Sequence, residues 1–250
     1  MSLHLCVVLN NIGGILYDNG HNTESRQMFK TAVKLASFHR HDANNQSEAS
    51  VVAREQLERK GHDLLQKYKT TPRLHSRRIV VATNKTNGDY YNKVLVIPME
   101  LLLSDEIDFL PGKMSCIETL VMAISMFHLA ISSLQKHSDQ YRHFQQVHEL
   151  AKQVIHRATT SSTTTTTTAS SNNNNNNPVT ILSHFLILAS LHNQAIDKSD
   201  SVTCWARLFH HSVSKSCRMS DWTDFGTLQE DATDFLARAV YQINKKEQDL

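Results

Sequence analysis

The stretch Leu9-Asn-Asn-Ile-Gly-Gly-Ile-Leu-Tyr-Asp-Asn-Gly20 decides how the chain begins to fold. Around it, apolar residues recur at steps of three and four, which predicts an α-helix over residues 2–17. Asp18-Asn19-Gly20 ends this helix by turn chemistry, with Gly20 at the position where a left-handed backbone follows a helix. A second helix is predicted from Asn22, so the two form a helical hairpin joined by a short turn.

The helical pattern continues along most of the remaining chain. Only 7 of the 250 residues are Gly and 4 are Pro, so tight turns are few. We predict an all-α fold in which residues 1–250 form one domain of about three hairpins and a C-terminal capping helix. The further helices are expected over residues 22–36, 47–69, 114–134, 138–155, 178–192, 199–213 and 228–245.

Two long segments interrupt the hairpins. Residues 40–114 are expected to form an irregular insert with a charged helix and an extended part. Within it, β-branched flanks around Asn87-Gly88 favour a β-hairpin over residues 77–98 as much as an extended loop lying over the helices. Residues 159–178 contain a Thr/Asn tract with nothing to bury, which predicts a disordered loop and is typical of a eukaryotic source.

The three hairpins share a spacing of small and large residues. A small residue lies midway along each first helix, and a large side chain follows sixteen residues later in the first and third hairpins. The second hairpin matches only after extra turn residues are allowed. The residues that carry this spacing, and should pack the hairpins, are Ile12, Gly13, Gly20, Phe29, Ala32, Leu129, Ala130, His148, Ala151, Leu188, Ala189, Trp205 and Leu208.

On these residues the chain resembles the tetratricopeptide-repeat (TPR) family in a degenerate form, with the best match over residues 9–36. The resemblance implies a concave surface, formed by the first helix of each hairpin, that binds a protein partner. It implies that this surface contains Val7, Asn10, Tyr17, Asp18, Ile124, Phe127, Ile131, Gln135, Ser183, Leu186, Ser190, Asn193 and Gln194.

That set contains no Lys or Arg, so a clamp for the C-terminal carboxylate of a chaperone peptide is not expected. The alternative is that its apolar members belong to the core or are covered by the insert.

Composition argues against several other functions. The 26 basic and 24 acidic residues give a net charge of +2, without the basic excess of a nucleic-acid binder. The 15 His and 4 Cys lack metal-ligand spacing, and the phosphate-loop and hydrolase motifs are missing, so no cofactor, metal or catalytic residue is expected. No signal peptide or membrane span is predicted, which favours the cytoplasm or nucleus.

The expected function is a non-catalytic adaptor that binds a peptide or a helical protein in its groove. One alternative is a regulatory or targeting subunit that contacts its partner through residues 40–114. The other is an enzyme with an unrecognised Cys/His site.

Overall fold

A computed structural model describes residues 2–41, 47–69, 94, 95, 97, 115–133, 137–161, 178–194, 196, 200–215 and 225–248. Every regular element in these ranges is an α-helix, which confirms the predicted all-α class. The helices are α1 (Ser2–Asp18), α2 (Asn22–His41), α3 (Glu48–Lys69), α4 (Cys116–Ile131), α5 (His137–Ser161), α6 (Pro178–Asn193), α7 (Asp200–Lys215) and α8 (Phe225–Gln248).

The turn after α1 closes the first hairpin as the sequence predicts. Gly20 has a φ of 81°, in the left-handed region that Gly enters without steric cost. The His21 N–H donates to the Leu16 carbonyl at 2.8 Å and the Gly20 N–H donates to the Tyr17 carbonyl at 2.9 Å. These two bonds form a Schellman motif, which satisfies carbonyls left open at the helix end.

Successive helices pack against one another along the chain, except that α4 packs against α2 and not against α3. Helix α2 packs between α1 and α4, α5 packs between α4 and α6, and α7 packs between α6 and α8. The first helices α1, α4 and α6 also contact each other in that order. Helix α3 lies on α1 and α2, where a Cβ at Gly61 would lie 3.2 Å from the Leu5 side chain.

The central helices α4 and α6 are buried on nearly every side. Ser115 caps α4, because its hydroxyl accepts from the Glu118 N–H while the Glu118 carboxylate accepts from the Ser115 N–H. Only Cys116 and Glu118 of α4 escape burial, and all described α6 side chains are buried. A helix that is apolar all round belongs in the interior. The core therefore runs through α4 and α6, and the helices packed against these two cover them.

Some predicted details differ from the structure. Helix α5 continues to Ser161, so Thr159–Ser161, expected to be disordered, are helical. Leu208, expected to pack the third hairpin, is 37 % exposed on α7. Residues 162–177, most of 77–98 with its β-hairpin alternative, and Gln135 lie outside the described residues. Among the described helices, none has the length and apolarity needed to cross a membrane.

Candidate functional site

A short piece of the 40–114 insert lies against the first helices of two hairpins. It consists of Val94, Leu95 and Ile97, called the insert segment from here on, with exposed fractions of 1 %, 2 % and 1 %. None of the three belongs to a helix or strand. The polar contacts of Leu95 and Ile97 are with α1 and α4. The groove between these two helices is therefore occupied by the chain itself.

Asn11 on α1 holds one end of the insert segment by two hydrogen bonds. Its amide Nδ2 donates to the Ile97 carbonyl at 2.7 Å. Its Oδ1 accepts from the Ile97 backbone N–H at 2.9 Å. A side-chain amide carries N–H donors beside a carbonyl acceptor, so it can pair with the N–H and C=O that one residue of an extended chain presents on the same side. Asn11 therefore satisfies both backbone groups of one residue.

Asn10 and His128 hold Leu95 in a closed ring of three hydrogen bonds. The Leu95 N–H donates to His128 Nε2 at 2.8 Å, so this nitrogen is the unprotonated one. His128 Nδ1 then carries the proton and donates to Asn10 Oδ1 at 2.9 Å. The Asn10 Nδ2 donates to the Leu95 carbonyl at 3.5 Å, which is the longest contact of the ring. Asn10, Asn11 and His128 together are called the amide–imidazole clamp.

The clamp binds the backbone groups of two alternate residues. Leu95 presents its N–H to α4 and its C=O to α1, and Ile97 presents both groups to α1, on one side of the segment as in an extended chain. In a sheet, a neighbouring strand would satisfy these groups. Here three side chains replace that strand, so backbone hydrogen bonding occurs without a sheet.

Gly14 shapes the groove where Val94 lies. A Cβ at position 14 would be 2.5 Å from Val94 Cγ1, closer than two carbon atoms can approach, but 3.8 Å from Val94 Cβ. Gly13, one position earlier and about 100° around the helix, faces α2, where a Cβ would be 2.7 Å from the Phe29 ring. Two adjacent glycines therefore let α2 and the insert segment approach α1 from two directions.

Burial fixes the charge state of the clamp. His128 is fully buried, and desolvation lowers its pKa from 6.5 to about 3. Its ring also packs against Phe29, with 5.0 Å between the centroids. The imidazole is neutral at neutral pH, so the clamp is an uncharged set of donors and acceptors.

Most of the groove residues expected from the TPR resemblance are inside the protein. Tyr17, Asp18 and Gln194 are half-buried, and burial raises the pKa of Asp18 to about 6. The expected exposure to a partner is not found for the other described members, because α4 and α6 are enclosed by other helices and Val7 and Asn10 lie on a buried part of α1. The buried members are Val7, Asn10, Ile124, Phe127, Ile131, Ser183, Leu186, Ser190 and Asn193.

The residues expected to pack the hairpins lie mostly in the core. Ile12, His148 and Trp205 are half-buried. Gly20 is exposed in the turn, and Leu208 on α7 is exposed as described above. The buried members are Gly13, Phe29, Ala32, Leu129, Ala130, Ala151, Leu188 and Ala189.

Only Asn10 of the clamp was among the groove residues predicted from the sequence. Asn11, His128 and the insert segment were not assigned to a site. One signal was present: two adjacent Asn side chains interrupt the otherwise apolar helix α1. A buried amide needs partners, so such a pair indicates a polar ligand nearby. The partner itself lies more than eighty residues away, and helical periodicity does not reveal that distance.

Comparison with known proteins found no matching family model, no matching curated protein and no matching solved structure.

The described residues include three free cysteines. They contain no group of three His, Cys, Asp or Glu side chains that could hold a metal ion. Burial raises the pKa of the Cys6 thiol to about 12, so it is not a thiolate at neutral pH. Cys204 is exposed on α7 in a shallow depression with Asp200 and Thr203, all from one helix.

Proposed function

We propose that this chain is a non-catalytic protein-interaction protein with a TPR-like array of hairpins, and that it binds an extended segment of another protein. The observation that carries the proposal is the amide–imidazole clamp. Asn11 makes a two-bond contact with a backbone residue 86 positions away, and His128 accepts from another backbone N–H. Both contacts depend on backbone groups, which every peptide possesses.

The chemistry of the clamp supports a peptide as the ligand. Side-chain amides and a neutral imidazole pair well with peptide N–H and C=O groups, which carry partial charges only. A free carboxylate would need charged donors, and none of the three clamp side chains is charged at neutral pH. An internal stretch of a partner chain fits this groove better than a chain terminus.

The experiment is a binding screen with the full chain. An immobilised chain is exposed to a library of extended apolar peptides and helical peptides, and binding is read by biolayer interferometry. Selected extended peptides with micromolar dissociation constants are the expected result. If no peptide binds, and small metabolites instead raise the melting temperature, the adaptor proposal is wrong and an enzyme is favoured.

A second candidate, a regulatory subunit that contacts its partner through the insert, rests on the surface of α3. Val51 and Val52 are 40 % and 48 % exposed, next to the ion pair between Arg54 and Glu58 at 3.5 Å. Adjacent exposed β-branched residues beside charges suit the rim of a protein interface. Val51→Glu/Val52→Glu would abolish partner binding under this candidate, whereas Asn11→Ala would do so under the first.

A further inference from the structure

The insert segment, which occupies the groove, would regulate the peptide binding proposed above. We propose that the insert segment is a built-in competitor: it fills the clamp until an extended segment of a partner with the same chemistry replaces it. This inference rests on the proposed function, because it concerns the same groove. The partner segment would present a residue no larger than Val at the Val94 position, and large apolar residues at the Leu95 and Ile97 positions.

The clamp cannot remain empty at low cost. Asn10 and His128 are fully buried, and four of the bonds described above would lose their partner if Leu95 and Ile97 left. A buried polar group without a partner costs about 1–3 kcal/mol. Release of the insert segment is therefore favourable only when another extended backbone takes its place. This requirement commits the groove to a peptide ligand.

The contacts permit such a replacement. Every hydrogen bond described between the insert segment and the helices joins a helix side chain and a backbone group, which is the donor in two of the bonds and the acceptor in the other two. Backbone groups are the same in any peptide, so a partner can make all four bonds. Selection then falls to the side chains, and Gly14 is the sharpest selector because its missing Cβ leaves space for Val94 Cγ1.

The covalent connection of the insert segment to α3 and α4 sets how tightly a partner must bind to replace it. The insert segment is connected to α3, which ends at Lys69, and to α4, which begins at Cys116. Because the insert segment belongs to the same chain as the groove, its effective concentration there is on the order of 1 mM. A partner at micromolar concentration must therefore bind more tightly than the insert segment by about a thousandfold. The insert segment therefore keeps peptides that bind weakly or non-specifically out of the groove.

The test uses the full chain and a fluorescein-labelled peptide of residues 91–100, YNKVLVIPME. In the variant Leu95→Ser/Ile97→Ser the cis segment loses apolar contacts while the clamp is unchanged. We expect this variant to bind the peptide at least 10-fold more tightly than the wild type, by fluorescence polarisation. Adding Asn11→Ala to the variant should remove the gain, and a scrambled peptide should not bind.

Two results would overturn the inference. One is a folded Leu95→Ser/Ile97→Ser variant, shown by circular dichroism, that binds the peptide no better than the wild type. The other is a wild-type dimer in analytical ultracentrifugation that the labelled peptide dissociates, since the occupant would then be a second copy.

Hydrogen–deuterium exchange of the wild type gives a readout that needs no variant. The Leu95 and Ile97 amides should exchange at least 10-fold faster than the core amides of α4, by local opening. Equal rates would mean that the segment leaves only on global unfolding, and would refute the competitor. Peptides that bind the chain but are insensitive to Asn11→Ala would refute this inference alone. Absence of any peptide binding to the wild type and to the Leu95→Ser/Ile97→Ser variant would refute the proposed function as well.

Discussion

The two ends of the array are covered in chemically different ways. At the first two hairpins, the insert segment covers α1 and α4 and is held by hydrogen bonds from Asn11 and His128. At the last hairpin, α8 covers α6 and α7 through aromatic contacts. Phe235 lies 6.5 Å from Phe185 and 6.3 Å from Phe209 between ring centroids, both in edge-to-face geometry.

This difference distinguishes the insert segment, which another peptide can replace, from α8, which is a fixed part of the fold. Edge-to-face rings stabilise only when specific side chains are interlocked, so α8 has no simple substitute. The bonds of the clamp reach backbone groups, which another peptide can supply. The N-terminal groove is therefore suited to binding, and the C-terminal end to capping.

The largest effect is expected at the aromatic end. Phe185 is fully buried and contacts Phe127 as well as Phe209 and Phe235. Phe185→Ala should lower the free energy of unfolding by about 3–5 kcal/mol, because it leaves a cavity among rings that cannot collapse. Urea denaturation followed by circular dichroism measures this. Tyr241→Ala, at a 64 % exposed site, is the control and should change stability by less than about 0.5 kcal/mol.

A smaller effect is expected at the groove, from Gly14→Ala. The added Cβ would overlap Val94 Cγ1 at a cost of about 1–3 kcal/mol, and the higher helix propensity of Ala offsets about 1 kcal/mol of it, so we expect a net loss of up to about 2 kcal/mol in the free energy of unfolding. Adding Val94→Ala should recover part of this loss, because the new Cβ would then be 3.8 Å from the Cβ of residue 94.

A double-mutant cycle of Gly14→Ala and Val94→Ala gives the interaction energy directly. Additive losses would show that Val94 does not occupy the space beside Gly14, and the two ends would then not differ in the proposed way. Gly13→Ala is the matched comparison, since its Cβ would meet Phe29 and Val94→Ala should not rescue it.

Acid should weaken both ends, since each contains a buried His. Burial lowers the pKa of His184 from 6.5 to about 4, and its ring lies 5.6 Å from that of Trp205. Between about pH 6.5 and pH 4, the unfolded state binds a proton at this site and the folded state does not. The free energy of unfolding therefore falls as the pH falls, by about 1.4 kcal/mol per pH unit.

His184→Phe keeps a ring against Trp205 and removes this titration. The variant should lose less stability between pH 6.5 and pH 4.5 than the wild type, and its remaining slope should include His128, with its pKa of about 3. Asp18, with a raised pKa of about 6, acts in the opposite direction but is common to both proteins. Equal slopes for the two proteins would mean that His184 is not buried in solution.

The smallest effect is expected in the turn between α1 and α2. Gly20→Ala places a Cβ on a residue with a φ of 81°, and among the described residues no atom beyond the two chain neighbours lies within 4 Å of the new carbon. The cost is therefore conformational only, about 1 kcal/mol. A lowered melting temperature with unchanged binding of the labelled peptide would show that the hairpin turn and the groove act independently. Asn19→Ala, next to it, is the control for a general effect of the turn.

The sequence was sufficient for local structure and insufficient for long-range pairing. Helices α1, α6 and α7 begin within one residue of their predicted starts, because apolar periodicity and cap residues are local signals. The exposed concave groove was expected from the first helices alone. Its polar residues instead meet Leu95 and Ile97, whose position depends on how a long connection crosses the array. No spacing rule relates such a connection to a helix face.

The adjacent glycines of α1 lower the stability of this helix in isolation. Each Gly in a helix interior costs about 1 kcal/mol relative to Ala, so residues Gly13 and Gly14 together cost about 2 kcal/mol. A 17-residue helix with this defect is not expected to be stable by itself. Helix α1 therefore forms only while Phe29 and Val94 pack against its bare backbone. Because α1 depends on contacts with its neighbours, we expect it to form late in folding, cooperatively and against α2.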